Sequence, residues 1–210
     1  MRLAVAASFL VLARAVLSAQ APAQASYIYS DPVGFSYAVP ADWEVVDARA
    51  SLPQLKEKAS QAAAGETEKK GVACVQVGLT ARHGDPASVI VVETLPFDCF
   101  GQQLTQDDLP EFGTGAFEGL KQNFDLVNPE QSAYALGSHH LWIERAQGAP
   151  KGQPGKRYTV ELACGLLTKA AVCWMAMASD AAALAVFEQS AVTLDSDPPT
   201  ALVPATVFKQ

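Results

Sequence analysis

Residues 34–46, with the sequence GFSYAVPADWEVV, form the stretch that decides the fold. From Phe35 to Val39, hydrophobic side chains alternate with small or polar ones, which is the period-two pattern of a half-buried strand. Pro40 and Asp42 favour a turn, and residues 43–46 are then expected to form the return strand. We expect the two large side chains, Phe35 and Trp43, to fill the core.

The segment that precedes this stretch has the layout of a secretory signal. Arg2 is followed by an apolar run over 3–13 and then by small residues, of which Ala19 or Ala25 can stand before the cleavage site. A membrane-spanning helix needs about 20 apolar residues, and Arg14 interrupts this run too early. The residue directly after Ala19 is not a cysteine, so the sequence does not support a lipid-anchored start either.

These observations divide the chain into three parts. We predict a cleaved signal peptide over 1–25, a single α/β domain over 26–195 and a C-terminal tail over 196–210. The mature protein is expected to be exported, to the periplasm or the extracellular space, and to keep no stable transmembrane segment.

Beyond the opening stretch, helical and strand patterns alternate along the chain. The apolar run over 89–92 is typical of a central strand that is covered on both faces. Residues 65–71 are expected to form a solvated loop. The remaining predicted elements are a helix capped by Ser51, strands over 72–79 and 88–95, a helix from Asp107 or Asp108 through Asp125, strands over 141–146, 157–167 and 170–178, and a helix that begins after Ser179 or Asp180.

The strand, Pro-x-x-Trp turn and strand of residues 34–46 resemble the opening of PsbP-like domains. The far end of the chain agrees, because paired strands are followed by a short helix over 181–190 and by the strand-like residues 191–194. The resemblance implies an α+β fold: an antiparallel sheet of about six to seven strands with helices on both faces, an α/β/α sandwich. PsbP-like proteins serve as accessory or docking proteins without a common active site, so no functional residue is carried over.

Four cysteines in an exported chain fit two disulfides. If Thr168 and Lys169 form a two-residue turn, Cys164 faces Cys173 at a non-hydrogen-bonded position of the hairpin. The Cα atoms there are about 4.5 Å apart, within disulfide reach. Cys74 and Cys99 then pair by default. The alternative is buried free thiols, since Cys also behaves as a small hydrophobic residue.

Charge narrows the range of partners. The whole chain has a formal net charge of −7, and losing Arg2 and Arg14 with the signal makes it −9, so nucleic acid is not expected as a partner. Lys151, Lys156 and Arg157 give one Gly- and Pro-rich loop local positive charge. Such charges either keep a loop solvated or dock it on a partner, and we mark these three residues as a docking loop.

Histidines offer the main alternative chemistry. His139 and His140 are adjacent in a predicted strand, where neighbouring side chains point to opposite faces, so one metal ion would also need His83 or a cysteine. The sequence contains no G-x-S-x-G, C-x-x-C or Walker spacing. It therefore favours an exported, non-catalytic accessory or binding protein that acts on a protein or envelope partner, with no catalytic residue, metal or cofactor. The alternative is a secreted metal-binding or thiol-dependent enzyme that uses His83, His139, His140 or the cysteines.

Overall fold

The computed structural model describes residues 25–47 and 65–208, together with positions 53, 56, 57, 60 and 61. The predicted signal peptide lies outside these residues apart from Ala25, and so does most of the helix predicted after Ser51.

The elements follow one another in this order: β1 Ala25–Asp31, β2 Phe35–Pro40, β3 Glu44–Val45, α1 Glu66–Cys74, β4 Gln76–His83, β5 Ser88–Pro96, α2 Phe97–Phe100, a 3₁₀ turn Gln106–Asp108, α3 Leu109–Leu120, β6 Phe124–Leu136, β7 His139–Pro150, β8 Tyr158–Leu166, β9 Ala170–Ala178, α4 Ala181–Gln189, β10 Ala191–Leu194 and β11 Thr200–Ala201. None of the helices among the described residues is long and apolar enough to cross a membrane.

Two antiparallel sheets organise the molecule. Seven strands form the larger sheet in the order β3-β4-β5-β9-β8-β7-β6, and four form the smaller one in the order β1-β2-β10-β11. Strand β5 has neighbours on both sides, β4 and β9, as its apolar run predicted. The mixed α+β fold with a seven-stranded antiparallel sheet is thereby confirmed.

The core lies on both faces of the seven-stranded sheet. One face packs against the smaller sheet and α4, which contribute Phe35 and Phe187. The other face packs against α1, α2 and α3, with Phe97 and Phe117 among the buried side chains. Trp43 is also buried, as predicted. Helices therefore cover both faces of the sheet, in agreement with the α/β/α arrangement.

The return strand expected after Pro40 does not pair with the strand before it. Strand β3 pairs with β4 in the larger sheet, and the Val46 amide donates to the Thr80 carbonyl at 2.8 Å. The prediction of a local hairpin was wrong because β2 already has β1 on one edge and β10 on the other. No edge of β2 is left for residues 44–45, so the chain crosses to the other sheet.

Two predicted boundaries near Cys74 are corrected. Residues 65–71 were expected to be a loop, but Glu66–Cys74 is the helix α1, and β4 begins only at Gln76. The Glu66–Lys69 ion pair, 3.0 Å long, lies along this helix, and the Cys74–Cys99 disulfide holds its end. The disulfide to Cys99 stabilises this helix, and the polar sequence of the helix itself gives no sign of that contact.

The largest error concerns residues 121–136. The helix expected to run through Asp125 ends at Leu120, and a strand that was not predicted, β6, follows a turn and runs for 13 residues. Strand β6 pairs only with β7, and Pro129 lies in the irregularity of the register between Val127 and Glu130. Strand β6 is an edge strand with a proline at a bulge. Its sequence therefore shows little of the alternation of hydrophobic and polar residues by which a strand is predicted.

Residues beyond 195 were expected to form a tail, but the described residues 200–207 pack on the domain. Strand β11 pairs with β10, and Leu202 is fully buried together with Val203 and Val207. The Leu202 amide donates to the Ser190 carbonyl and the Val203 amide to the Glu188 carbonyl, each at 2.9 Å. We call residues 200–208 the C-terminal strap.

Candidate functional site

A cleft of about 400 Å³ opens at the end of the sheet where β7 begins. One wall is the loop over 103–106 between α2 and the 3₁₀ turn, and the other is the tip of the β8–β9 hairpin. Its lining residues are Gln103, Leu104, Thr105, Gln106, His139, Leu166, Leu167, Thr168 and Asp195. Leucine side chains supply the apolar part of this lining, and amides, hydroxyls, one imidazole and one carboxylate supply the polar part.

His139 is the only histidine in the lining of this cleft, and its side chain is 13 % exposed. The ring Nε2 lies 3.5 Å from Asp195 Oδ2 and 3.9 Å from Asp197 Oδ2, while Nδ1 lies 3.3 Å from the Leu166 carbonyl oxygen. The two aspartates follow β10, at or beyond the boundary predicted for the domain. Neither aspartate was therefore predicted as a site residue from the sequence.

The hydroxyls beside His139 are occupied by other partners. Ser138 donates to Asp197 Oδ2 through its amide at 2.7 Å and its hydroxyl at 2.9 Å, and these hydrogen bonds lower the pKa of Asp197. Thr105 donates its hydroxyl to Asp108 at 2.7 Å. Neither hydroxyl is hydrogen-bonded to the imidazole, so the described residues contain no hydroxyl–imidazole pair of the kind a nucleophilic hydrolase needs.

The other two histidines do not line the cleft. His83 ends β4 at the opposite end of the sheet, where it stacks on Trp43 with ring centroids 5.7 Å apart. Its Nδ1 lies 3.0 Å from the Asp42 carbonyl oxygen. His140 is exposed and neighbours His139 on β7. Across the part of the chain that the structure describes, no group of three His, Cys, Asp or Glu side chains could hold a metal ion.

All four cysteines form disulfides. Cys164 faces Cys173 in the predicted register, with Cα atoms 4.1 Å apart, and the Leu167 amide closes the two-residue turn by donating to the Ala170 carbonyl at 2.9 Å. Cys74 bonds to Cys99, with Cα atoms 5.7 Å apart. The bridges brace the β8–β9 hairpin and α2, which lead directly into the two walls of the cleft.

The predicted docking residues lie at the other end of β7. Residues 151–157 connect β7 to β8 and are all exposed, and hydrogen bonds from the Gln153 amide to Pro150 and from the Lys156 amide to Gln153 shape the turn. We call Lys151, Lys156 and Arg157 the basic loop. The cleft and the basic loop are thus on opposite ends of the seven-stranded sheet.

A buried charged group lies between the two sheets. Glu161 on β8 is fully buried, and its Oε2 accepts from Arg145 Nε and Nη2 on β7, each at 2.5 Å. Arg145 also pairs with Glu188 on α4. Burial raises the pKa of Glu161 to about 7, although Arg145 opposes the shift. We call Glu161, Arg145 and Glu188 the buried triad. In the sequence, Glu161 is the single charged residue of the apolar run VELACGLL, which is the pattern that indicates a buried charge, but no such site was predicted.

Comparison with known proteins adds a likeness of fold. No protein-family model matches the sequence, and no curated protein matches it either. The structure is similar to that of LpqN, which is involved in cell envelope biogenesis of Mycobacterium tuberculosis, with 17% identity and a TM-score of 0.42 over 77% of this chain and 81% of LpqN.

A second similar structure is the cyanobacterial PsbP, CyanoP, from Synechocystis. It shares 12% identity with a TM-score of 0.37, over 72% of this chain and 79% of CyanoP. Likenesses of this degree assign no ligand, partner or activity to this chain.

Proposed function

We propose that this chain is an exported, non-catalytic binding protein that docks on an acidic partner protein through its basic loop. The two disulfides support a product of an oxidising compartment. The first described strand, β1, starts at Ala25, the last residue of the proposed signal peptide over 1–25.

The observation that carries the proposal is the clustering of three exposed cations on one loop. Four lysine or arginine side chains elsewhere pair with glutamates: Lys69, Arg82, Lys121 and Arg145. No ion pair within the described ranges involves the basic loop, although the whole chain carries a net charge of −7. Three exposed cations on one turn of an acidic protein provide a local surface for a negatively charged partner.

A protein partner fits this loop better than a lipid surface does. Peripheral binding to anionic lipid gains about 1 kcal/mol per Lys or Arg near the surface, and stable membrane binding usually needs an inserted apolar group as well. Residues 151–157, KGQPGKR, contain no aromatic or large aliphatic side chain that could insert into a bilayer. We therefore propose that the negatively charged partner of the basic loop is a protein.

An acid–base enzyme at the cleft is the second candidate function, and the position of His139 beside Asp195 favours it. A His–Asp pair can orient an imidazole for proton transfer. The cleft lacks a nucleophile that is hydrogen-bonded to the ring, since Ser138 donates to Asp197 instead. A binding role needs no such group, so it remains the better-supported function.

Photo-crosslinking in the exported fraction of the source cells tests the docking proposal. A photoreactive residue at Gln153, within the loop, should yield an adduct of discrete mass with an acidic protein, whereas the same residue at Thr168, near the cleft, should not. Three exposed ion pairs of about 0.5 kcal/mol each correspond to a loss of affinity of about tenfold. The variant K151E/K156E/R157E should therefore lose most of the adduct.

A matched variant, K70E/K121E/K169E, changes the net charge by the same amount at other exposed sites and should keep the adduct. Equal loss in both variants, equal adducts at Gln153 and Thr168, or no adduct at Gln153 would contradict the proposal. Sedimentation with phosphatidylglycerol vesicles that depends on the basic loop would also contradict the proposal, because the partner would then be a membrane surface.

A further inference from the structure

We propose that the cleft binds a small organic amine, whose ammonium group is held between His139 and Asp195 while its apolar part lies against the leucines of the lining. This inference is independent of the docking proposal, because the basic loop lies at the opposite end of the seven-stranded sheet.

Three hydrogen-bond acceptors converge beside the cleft. Nδ1 of His139 lies 3.3 Å from the Leu166 carbonyl oxygen, which can only accept, so Nδ1 carries the proton when the ring is neutral. Nε2 is then an acceptor, and the carboxylate oxygens 3.5 Å and 3.9 Å from it, on Asp195 and Asp197, are acceptors too. A donor that bridges Nε2 and a carboxylate therefore stabilises this arrangement.

Asp195 is the carboxylate that a ligand in the cleft can reach. Its side chain is 35 % exposed and lines the cleft. Asp197 already accepts two hydrogen bonds from Ser138, through the amide and the hydroxyl. We therefore assign the ligand contact to Asp195 and the support of the turn to Asp197.

Two turn glycines hold these aspartates in place. A Cβ on Gly34 would come within 2.6 Å of Asp195 Oδ1, and a Cβ on Gly137 would overlap Asp197 Oδ2. Both glycines have positive φ, +114° and +59°, and the Asp195 amide donates to the Gly34 carbonyl at 2.6 Å. The carboxylates are thus fixed by the turns before a ligand arrives, which lowers the cost of binding.

A primary ammonium group matches this set of acceptors. It has three N–H donors and no acceptor, whereas a hydroxyl has one donor and a carboxylate has none. One nitrogen can reach both His139 Nε2 and Asp195 Oδ2, which are 3.5 Å apart, at an ordinary hydrogen-bond distance of about 2.9 Å from each. The contact with Asp195 is also charge-assisted, and such hydrogen bonds are the stronger ones.

The rest of the cleft suits a short apolar body. Leu166 and Leu167 are buried at the tip of the β8–β9 hairpin, and Leu104 lies half-buried in the lining of the cleft. The volume of about 400 Å³ falls within the range of about 300–1,000 Å³ that is typical of small-molecule sites. An arylalkyl amine therefore combines the two features that the lining recognises.

NMR titration of the nitrogen-15-labelled whole protein with phenethylamine tests the site. The amine should shift the amides of Leu166 and Thr168, and it should hold the His139 ring in the form protonated on Nδ1. It should bind at least about tenfold more tightly than phenethyl alcohol, which has the same body without the charge. Hydrocinnamate, which carries a carboxylate instead, should bind more weakly than the alcohol.

The variant D195N removes the charge and should weaken amine binding by at least about tenfold. Asp195 has a φ of +49°, which asparagine also tolerates, so the turn is kept. The matched control is D107N, which removes the charge of an exposed residue beside Gln106 and should leave the affinity for the amine unchanged.

Equal affinities for the amine and the alcohol in the unmodified protein would overturn the proposal, and this comparison does not depend on any variant. Amine binding that is as tight in D195N, shifts that map away from His139 and Leu166, or no saturable binding of the amine would overturn it as well.

Discussion

Two glycines of α3 illustrate how differently single residues of one type can be used. A Cβ added at Gly113 would overlap the Trp142 indole, with its Cγ only 3.1 Å away, whereas a Cβ at Gly115 would meet nothing within 4 Å. From the sequence, both glycines simply weaken a helix. Only the position of Trp142 on β7 shows that Gly113 is needed for close packing of the helix on the sheet.

We expect opposite effects when each glycine is replaced by alanine. Gly113→Ala overpacks the contact with Trp142 and should lower the free energy of unfolding by about 1–3 kcal/mol. Gly115→Ala gains helix propensity without a clash and should raise it by up to about 1 kcal/mol. Urea unfolding of both variants is the measurement. Shifts in the same direction would contradict this packing of α3.

Among the secondary-structure elements, those with two paired neighbours were predictable and those at the edges were not. The β8–β9 hairpin has a continuous apolar sequence and a two-residue turn, so its register followed from the sequence down to the Cys164–Cys173 pair. Strand β6 has a single neighbour and a mostly exposed sequence, so its residues gave no strand signal. Helix α1 is anchored by a disulfide whose partner is 25 residues away.

The two disulfides should differ in how readily they are reduced. Cys99 is exposed, whereas Cys164 and Cys173 are both buried beneath α3. Thiol–disulfide exchange requires access of the attacking thiolate to a sulfur. In the folded protein, a low concentration of dithiothreitol should open Cys74–Cys99 first. Alkylation followed by peptide mass analysis identifies the order, and simultaneous labelling of all four cysteines would contradict it.

For the molecule as a whole, the fold class and the seven-stranded sheet followed from the sequence, but the extent of the domain did not. The boundary at residue 195 excluded Asp197 and the strap, although Leu202 is fully buried. The residues SDPPTALVPATVF contain three prolines and no regular period, so the sequence pattern indicated a tail. Their burial depends on a surface made by β10, α4 and β6, of which β6 was not predicted.

Truncation of one strap residue should therefore behave as a core mutation. Leu202→Ala removes a fully buried side chain and should lower the free energy of unfolding by about 2–5 kcal/mol. Val127→Ala, at a position that is 55% exposed, should change it by no more than about 0.5 kcal/mol. Thermal unfolding followed by circular dichroism compares the two. Equal and small shifts would show that the strap is not part of the folded core.

Strand β7 links the two surfaces, because it begins at His139 in the cleft and ends at Pro150 beside the basic loop. At about 3.3 Å per residue, the eleven steps from His139 to Pro150 set the two ends of the strand about 36 Å apart. A macromolecule held at one end would leave the other end open to solvent. If the basic loop docks as we propose, the sheet would therefore hold the cleft at a fixed distance from the docked partner.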